Sequence, residues 1–155
     1  MSNNVKTFCC KTEDDTKYLA EQFAKIAKKG DIFALYGTLG VGKSTFSRYF
    51  IKSICDVNDV PSPTFTLVQM YESNSFEIYH YDMYRLKNAE EIFELGVEDS
   101  FYSGVNLVEW PEKIQRFLPK DIWKITISTK ENYRYFEIET ISNDKINRLA
   151  EIQFD

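Results

Sequence analysis

The chain has few of the residues that staple or metallate a small protein. Across its 155 residues there are three cysteines, Cys9, Cys10 and Cys55, an odd number with no repeated C-x-x-C spacing. That count excludes a disulfide framework and a cysteine-built zinc site, and it fits a reducing compartment. A single histidine, His80, excludes any metal site built on several imidazoles and reads as a packed or hydrogen-bonded strand residue. No apolar run approaches the roughly 20 residues of a membrane-spanning helix. The opening "MSNNVKTFCCKTEDD" lacks the apolar segment of a secretory signal. A cytoplasmic protein with no membrane partner is the expectation. Basic charge is short too: 19 Lys and Arg against 24 Asp and Glu leave a net charge of −5. Broad binding to DNA or RNA needs many cation–phosphate contacts, so the balance favours a protein partner over naked nucleic acid. No repeat, low-complexity segment or linker divides the sequence, and its length suits one domain spanning 1–155. Aromatic residues, by contrast, are abundant: the 12 Phe and 10 Tyr read as core and rim packing.

Periodicity places the elements. "VKTFCC" predicts a short strand, and "KTEDDTKYLAEQFAKIAKKG" a helix with a capping box from Thr12 to Asp15 and a stop at Gly30. Its apolar face is Leu19, Phe23 and Ile26 with Ala20, Ala24 and Ala27. "IFALY" is a nearly continuous apolar run, as in a parallel strand buried on both faces. A helix through "KSTFSRYFIKSIC" follows. Pro61 and Pro63 interrupt the chain, and "TFTLVQMYE" and "FEIYHYD" predict a hairpin joined by "SNS". "NAEEIFEL" predicts a short helix ending near Gly96, "VNLVEW" a buried strand, and "PEKIQRFLP" a short helix with proline at its start. "DIWKITIST" and "NYRYFEIET" alternate as two antiparallel strands. Ile146, Leu149 and Ile152 suggest a terminal helix. The expected architecture is a single α/β domain of the P-loop NTPase kind: a mixed, mainly parallel sheet with an inserted β-hairpin and flanking helices.

The segment "GTLGVGKST", Gly37 to Thr45, carries the chemistry. It contains the full G-x-x-x-x-G-K-[ST] pattern between a buried strand and an amphipathic helix. Glycines let successive backbone N–H groups turn inward as an anion nest, and the helix start adds about half a positive charge. Lys43 is expected to reach the β- and γ-phosphates of a nucleotide, and the Ser44 hydroxyl to ligate Mg²⁺. The remaining loop residues, Gly37, Thr38, Leu39, Gly40, Val41, Gly42 and Thr45, are expected to line the phosphates.

A P-loop site usually adds an acid at the end of a neighbouring strand. Glu109, closing "VNLVEW", is the candidate Mg²⁺ carboxylate, or else an ordinary surface carboxylate. Asp82, in "YHYDMYR", is the candidate to orient water or share the Mg²⁺ shell, or else a turn residue paired with Arg85. In "SPTFT", Thr64 or Thr66 either touches Mg²⁺ and the γ-phosphate or belongs to a rigid X-Pro connection. A GTPase is disfavoured: the nearest approach to its guanine reader, "TKEN" at Thr129 to Asn132, has Asn where Asp belongs. A small-molecule kinase needs an acceptor pocket and lid, for which "DMYRLKNAEEIFELG" is the only room, and it stays as the alternative. Size and charge favour a module that uses ATP as a switch.

Taken together, "LYGTLGVGKSTFSRYF", "SPTFTLV", "YHYDMYRL", "FELGVED" and "LVEWPEKI" occur in the order found in the TsaE (YjeE) family. The chain strongly resembles these bacterial ATPases of tRNA threonylcarbamoyladenosine synthesis from about residue 12 to 119, with a C-terminal part, 120–155, of little family signal. The resemblance implies binding of ATP and Mg²⁺, slow hydrolysis, and association with the TsaB–TsaD pair. That pair transfers threonylcarbamoyl onto the adenosine beside the anticodon, so tRNA is met indirectly. It implies phosphate contacts from Leu39 to Ser44, Mg²⁺ held by Ser44 and Glu109, hydrolysis served by Asp82, Glu109 and Lys43, and Trp110 beside the site. Glu13, Thr16 and Arg134 are implied near the nucleotide. Two positions depart visibly from the family pattern: Thr38 replaces a usual acid and Val41 a usual alanine, while Ser44 in place of threonine keeps the hydroxyl.

Overall fold

Three apolar strands in succession cannot face water on either side, and the chain resolves this by covering a sheet on both faces. The computed structural model describes residues 4–38 and 40–154. Leu39, one of the expected phosphate contacts, lies outside the described residues. Among these, the strands are β1 (Asn4–Cys10), β2 (Ile32–Tyr36), β3 (Val68–Glu72), β4 (Glu77–Asp82), β5 (Val105–Glu109), β6 (Trp123–Lys130) and β7 (Tyr133–Thr140). They form one sheet in the order β1-β7-β6-β2-β5-β4-β3. The four central strands, β6, β2, β5 and β4, run parallel, while β1 with β7, β7 with β6, and β4 with β3 are antiparallel. This is the expected mixed α/β sheet with an inserted hairpin, its antiparallel pairs at the flanks.

Alternation along each central strand splits the core in two. Phe33 and Leu35 of β2, with Val105 and Leu107 of β5, join the larger cluster under α1 (Glu13–Ile26) and α2 (Lys43–Ile54). Ile32, Ala34 and Val108 point the other way, into a smaller cluster with Tyr81, Ile92, Val97 and Ile114. The aromatic wealth is indeed packing. The Phe23 ring meets Phe33, Phe46 and Trp123 edge-on at 6.0, 5.9 and 5.7 Å, and Phe33 stacks on Trp123 at 5.5 Å.

Several boundaries differ from expectation, each for a physical reason. The Thr12–Asp15 capping box forms as expected, but α1 ends at Ile26 and not at Gly30. The Ile26 carbonyl is taken by the Arg148 guanidinium at 2.8 Å, and the Lys28 N–H turns to the Asp31 carboxylate at 2.8 Å. Strand β3 begins only at Val68, because the Leu67 N–H closes a turn on the Pro63 carbonyl at 2.6 Å and Leu67 is left-handed. The short helix ends at Gly96 as expected, but it is a 3-10 helix, Ala89–Leu95, and Gly96, at φ 79°, leads directly into a further helix, α3 (Val97–Ser103). This region, the only room for a kinase lid, is packed into the smaller core through Ile92 and Val97. The terminal helix α4 (Asn143–Ala150) is present and ends before Ile152.

Helix α4 carries the main buried ion network. Arg148, 5% exposed, grips Asp31 with two bonds of 2.6 and 2.9 Å, and Lys145 bridges toward Asp121 at 3.1 Å. Asp31 immediately precedes β2, so the network anchors the foot of the strand that carries the phosphate loop. Removing one partner of such a pair strands a buried charge, at a cost of about 3–5 kcal/mol. Arg148→Met is therefore expected to lower the midpoint of thermal unfolding by about 6–15 °C. A loss under about 2 °C in calorimetry would show that the network does not hold this end of the sheet.

Candidate functional site

The parallel register determines which side chains meet. Leu35 of β2 pairs with Glu109 of β5, and Glu109 pairs with Asp82 of β4. Alternation sends Tyr81 to the smaller core, which leaves His80 and Asp82 on the α2 face with Glu109. Both acids are buried, Glu109 at 2% and Asp82 at 5% exposure. The surface-carboxylate reading of Glu109 therefore fails. The Asp82–Arg85 pairing fails as well: Arg85 lies over the Phe65 ring, 4.3 Å from its centroid.

Between β2 and α2 the loop takes the backbone that its glycines permit. Gly37, Gly40 and Gly42 have φ of 147°, 78° and 120°. Gly37 also admits no side chain, since a Cβ there would stand 2.7 Å from Val41 Cγ1 and 2.8 Å from the Ile127 carbonyl. Val41, buried in the larger core, is thus a packing partner of the loop. Thr38 is exposed, and its carbonyl accepts from the Val41 N–H at 3.3 Å. Among the described residues α1 and α4 are capped by the side chains of Thr12 and Ser142, whereas α2 starts at Gly42 with no side-chain cap. Its first N–H groups remain available to an anion.

Lys43 opens α2 and is 4% exposed. Its ammonium donates to the Gly37 carbonyl at 2.5 Å and lies over the Trp110 ring, 3.5 Å from the centroid. Burial pulls the Lys43 pKa below the usual lysine value, against the opposing pull of Glu109, Glu112 and Asp82. Trp110 reaches this position from a left-handed backbone, φ 58° and ψ 49°, immediately before Pro111.

Ser44 donates its hydroxyl to Glu109 Oε1 at 2.9 Å. Glu109 Oε2 lies 2.6 Å from His80 Nε2. Asp82 accepts from the Thr64 hydroxyl at 2.9 Å and from the Tyr84 N–H at 3.0 Å. Thr64 is therefore the threonine that the "SPTFT" loop brings in, while Thr66 accepts from the Gln69 side chain. The donor set of one hydroxyl and two buried carboxylates is hard oxygen, the kind Mg²⁺ takes alongside phosphate and water. No group of three or more His, Cys, Asp or Glu at metal-binding spacing occurs among the described residues. A P-loop magnesium site needs none.

These residues line a cleft of about 370 Å³. One wall holds Gly40, Gly42, Lys43, Ser44 and Thr45, and the acids with Thr64 and Trp110 form another. Glu13, Thr16 and Arg134 line it as well. A Cβ on Gly42 would lie 3.6 Å from Arg134 Nε, and Glu13 accepts from the Tyr49 hydroxyl of α2. The cleft also includes Cys10, Lys11, Thr12, Asn132 and Phe136, which sequence reasoning passed over. They come from the pairing of β1 with β7, which sets Cys10 opposite Arg134, and from the β6–β7 turn, where Glu131 and Asn132 are left-handed. Burial pushes the Cys10 thiol up to about 11, so it stays protonated and unreactive. His80, read as a strand residue, is in contact with the site's central carboxylate.

The family described as threonylcarbamoyl adenosine biosynthesis protein TsaE matches residues 10–136, which takes in β6 and part of β7. A Rickettsia felis protein named tRNA threonylcarbamoyladenosine biosynthesis protein TsaE is 42% identical over 134 residues, covering 85% of this chain and 78% of that one. The Bacillus subtilis protein of the same name is 38% identical over 74% of this chain and 72% of its own length. The crystal structure of Bacillus subtilis YdiB superposes with a TM-score of 0.79 at 27% identity, over 97% of this chain and 95% of YdiB. The chain belongs to the TsaE family, with that family's role in tRNA threonylcarbamoyladenosine biosynthesis.

Proposed function

We propose that the protein binds ATP with Mg²⁺ in the P-loop cleft, hydrolyses it slowly, and acts in the cytoplasm as a reset partner of the TsaB–TsaD transferase. The observation that carries this reading is the Ser44–Glu109 hydrogen bond at 2.9 Å, beside a helix start with no side-chain cap. Nothing in the packing of the sheet calls for a buried carboxylate at that point, whereas a metal–phosphate site does.

The residues divide the work. The loop N–H groups and the α2 start hold the phosphates. Lys43 exchanges the Gly37 carbonyl for phosphate oxygen, a stronger charge-assisted bond. Ser44 and Glu109 hold Mg²⁺, whose charge when bound offsets that on the transferring phosphoryl oxygens. Asp82, fixed by Thr64 and Tyr84, presents its remaining lone pairs to the attacking water. Arg134 lines the cleft beside Gly42, and the TsaB–TsaD pair would complete the site. A cation supplied to the transferring group is worth about 10³–10⁵ in rate, which accounts for slow hydrolysis by the isolated chain.

ATP hydrolysis is expected to rise on adding TsaB–TsaD, and Glu109→Ala to lower the stimulated rate by about 10²-fold or more. Over many turnovers, tRNA modification should stall without this protein and resume with wild type only. Equal rates with and without a confirmed complex would remove the partner's role, and ATP use matched to a phosphorylated small molecule would favour a kinase. Nucleotide binding should also draw Lys43 off the indole and change Trp110 emission. The change should vanish in Trp110→Phe, because the other tryptophan, Trp123, is buried in the core. A wild-type emission that does not change on nucleotide binding would show that Lys43 does not leave the ring.

A further inference from the structure

His80 takes part in none of the steps above, yet it is 2% exposed and its Nε2 lies 2.6 Å from Glu109 Oε2. A carboxylate oxygen accepts, so the Nε2–H of His80 is the donor of this bond. Nδ1 then finds no hydrogen-bond partner among the described residues. A buried polar atom left in this way costs free energy. Two residues earlier, on the same face of β4, the chain uses Ile78, which packs without that cost. The imidazole is therefore a poor choice for packing alone. What it adds is a second grip on Glu109. Ser44 takes Oε1 and His80 takes Oε2, so the carboxylate plane is held from both sides. With Glu109 fixed, the Ser44 O–H has one direction in which to donate, and its lone pairs face the cleft.

We propose that His80 is a positioning residue for the metal: it locks Glu109 so that the carboxylate and the Ser44 hydroxyl are pre-aligned for Mg²⁺. The inference rests on the nucleotide reading above. His80 touches neither phosphate nor metal and acts through Glu109. Residues that orient metal ligands in this way are worth about 10–100-fold in metal affinity or activity.

The test compares two amides that differ in reach. The side-chain nitrogen of Gln extends about as far as His Nε2, whereas that of Asn stops near Nδ1. Binding of a ribose-labelled fluorescent ADP is measured for wild type, His80→Gln and His80→Asn, each in Mg²⁺ and in EDTA, with thermal unfolding recorded alongside. The expected result has three parts. Wild type binds more tightly in Mg²⁺ than in EDTA. His80→Gln keeps that gain within about 3-fold, and His80→Asn loses about 10-fold of it. Affinity in EDTA is the same for all three. A purely structural role would move both amides alike and would lower binding in EDTA as well as in Mg²⁺. Equal behaviour of the two variants, a retained Mg²⁺ gain in His80→Asn, or a loss that also appears in EDTA overturns the inference and leaves the nucleotide reading standing. Failure of wild type to bind ADP overturns both.

Discussion

The site depends on one constraint: β2, β5 and β4 are parallel and in register at their C-terminal ends. Once Leu35, Glu109 and Asp82 lie abreast, everything that leaves those ends meets at one edge of the sheet. The phosphate loop leaves β2, Trp110 leaves β5, and the Met83–Arg85 turn leaves β4. Parallel strands require crossovers, and the crossover from β2 is α2, whose first turn points its N–H groups at the same edge. Ligand crevices in open α/β sheets lie outside the carboxyl ends of strands for this reason. No residue of the loop has to reach far.

This arrangement places four polar or charged groups, Lys43, His80, Asp82 and Glu109, where a soluble protein would ordinarily place apolar ones. Such groups persist only when their partners are supplied. Here the supply is mutual: Lys43 bonds the loop it follows, Ser44 and His80 bond Glu109, and Thr64 and Tyr84 bond Asp82. The opposite end of β2 shows the same economy with a different purpose. Asp31, Arg148 and Lys145 form a network at the foot of the strand. One buried cluster holds the frame, and the other lines the cleft at the opposite end of the strand.

Much of this was legible in residue order. Period-two and apolar runs located every strand, the Thr12–Asp15 box started α1, and the P-loop spacing named Lys43 and Ser44. What escaped was whatever depends on residues far apart in the chain. Gly30 is a sound local stop signal, but Arg148 ends α1 sooner by taking the Ile26 carbonyl. Gly96 marks a break yet joins two short helices. His80 differs from its neighbours in no pattern, and its contact with Glu109 exists only through the β4–β5 register. Thr64 and Thr66 were equivalent on paper until the left-handed Leu67 turned one inward. Cys10 reaches the cleft because the first strand pairs with the last, and Asn132 because the β6–β7 turn lies beside it, which no local pattern announces.

That pairing bears on how the chain comes to be made. β1 leaves the ribosome first, but its place in the sheet is beside β7, and β7 lies beside β6, which in turn flanks β2. The P-loop, its helix and both acids are therefore synthesised before the strands that complete one wall of the cleft. Arg148, which clamps the foot of β2, comes later still. The part of the cleft lined by Thr12 and Arg134 is completed only once β7 pairs with β1. Products that stop short of β7 therefore carry the P-loop sequence and both acids without that wall or the Arg148 clamp at the foot of β2.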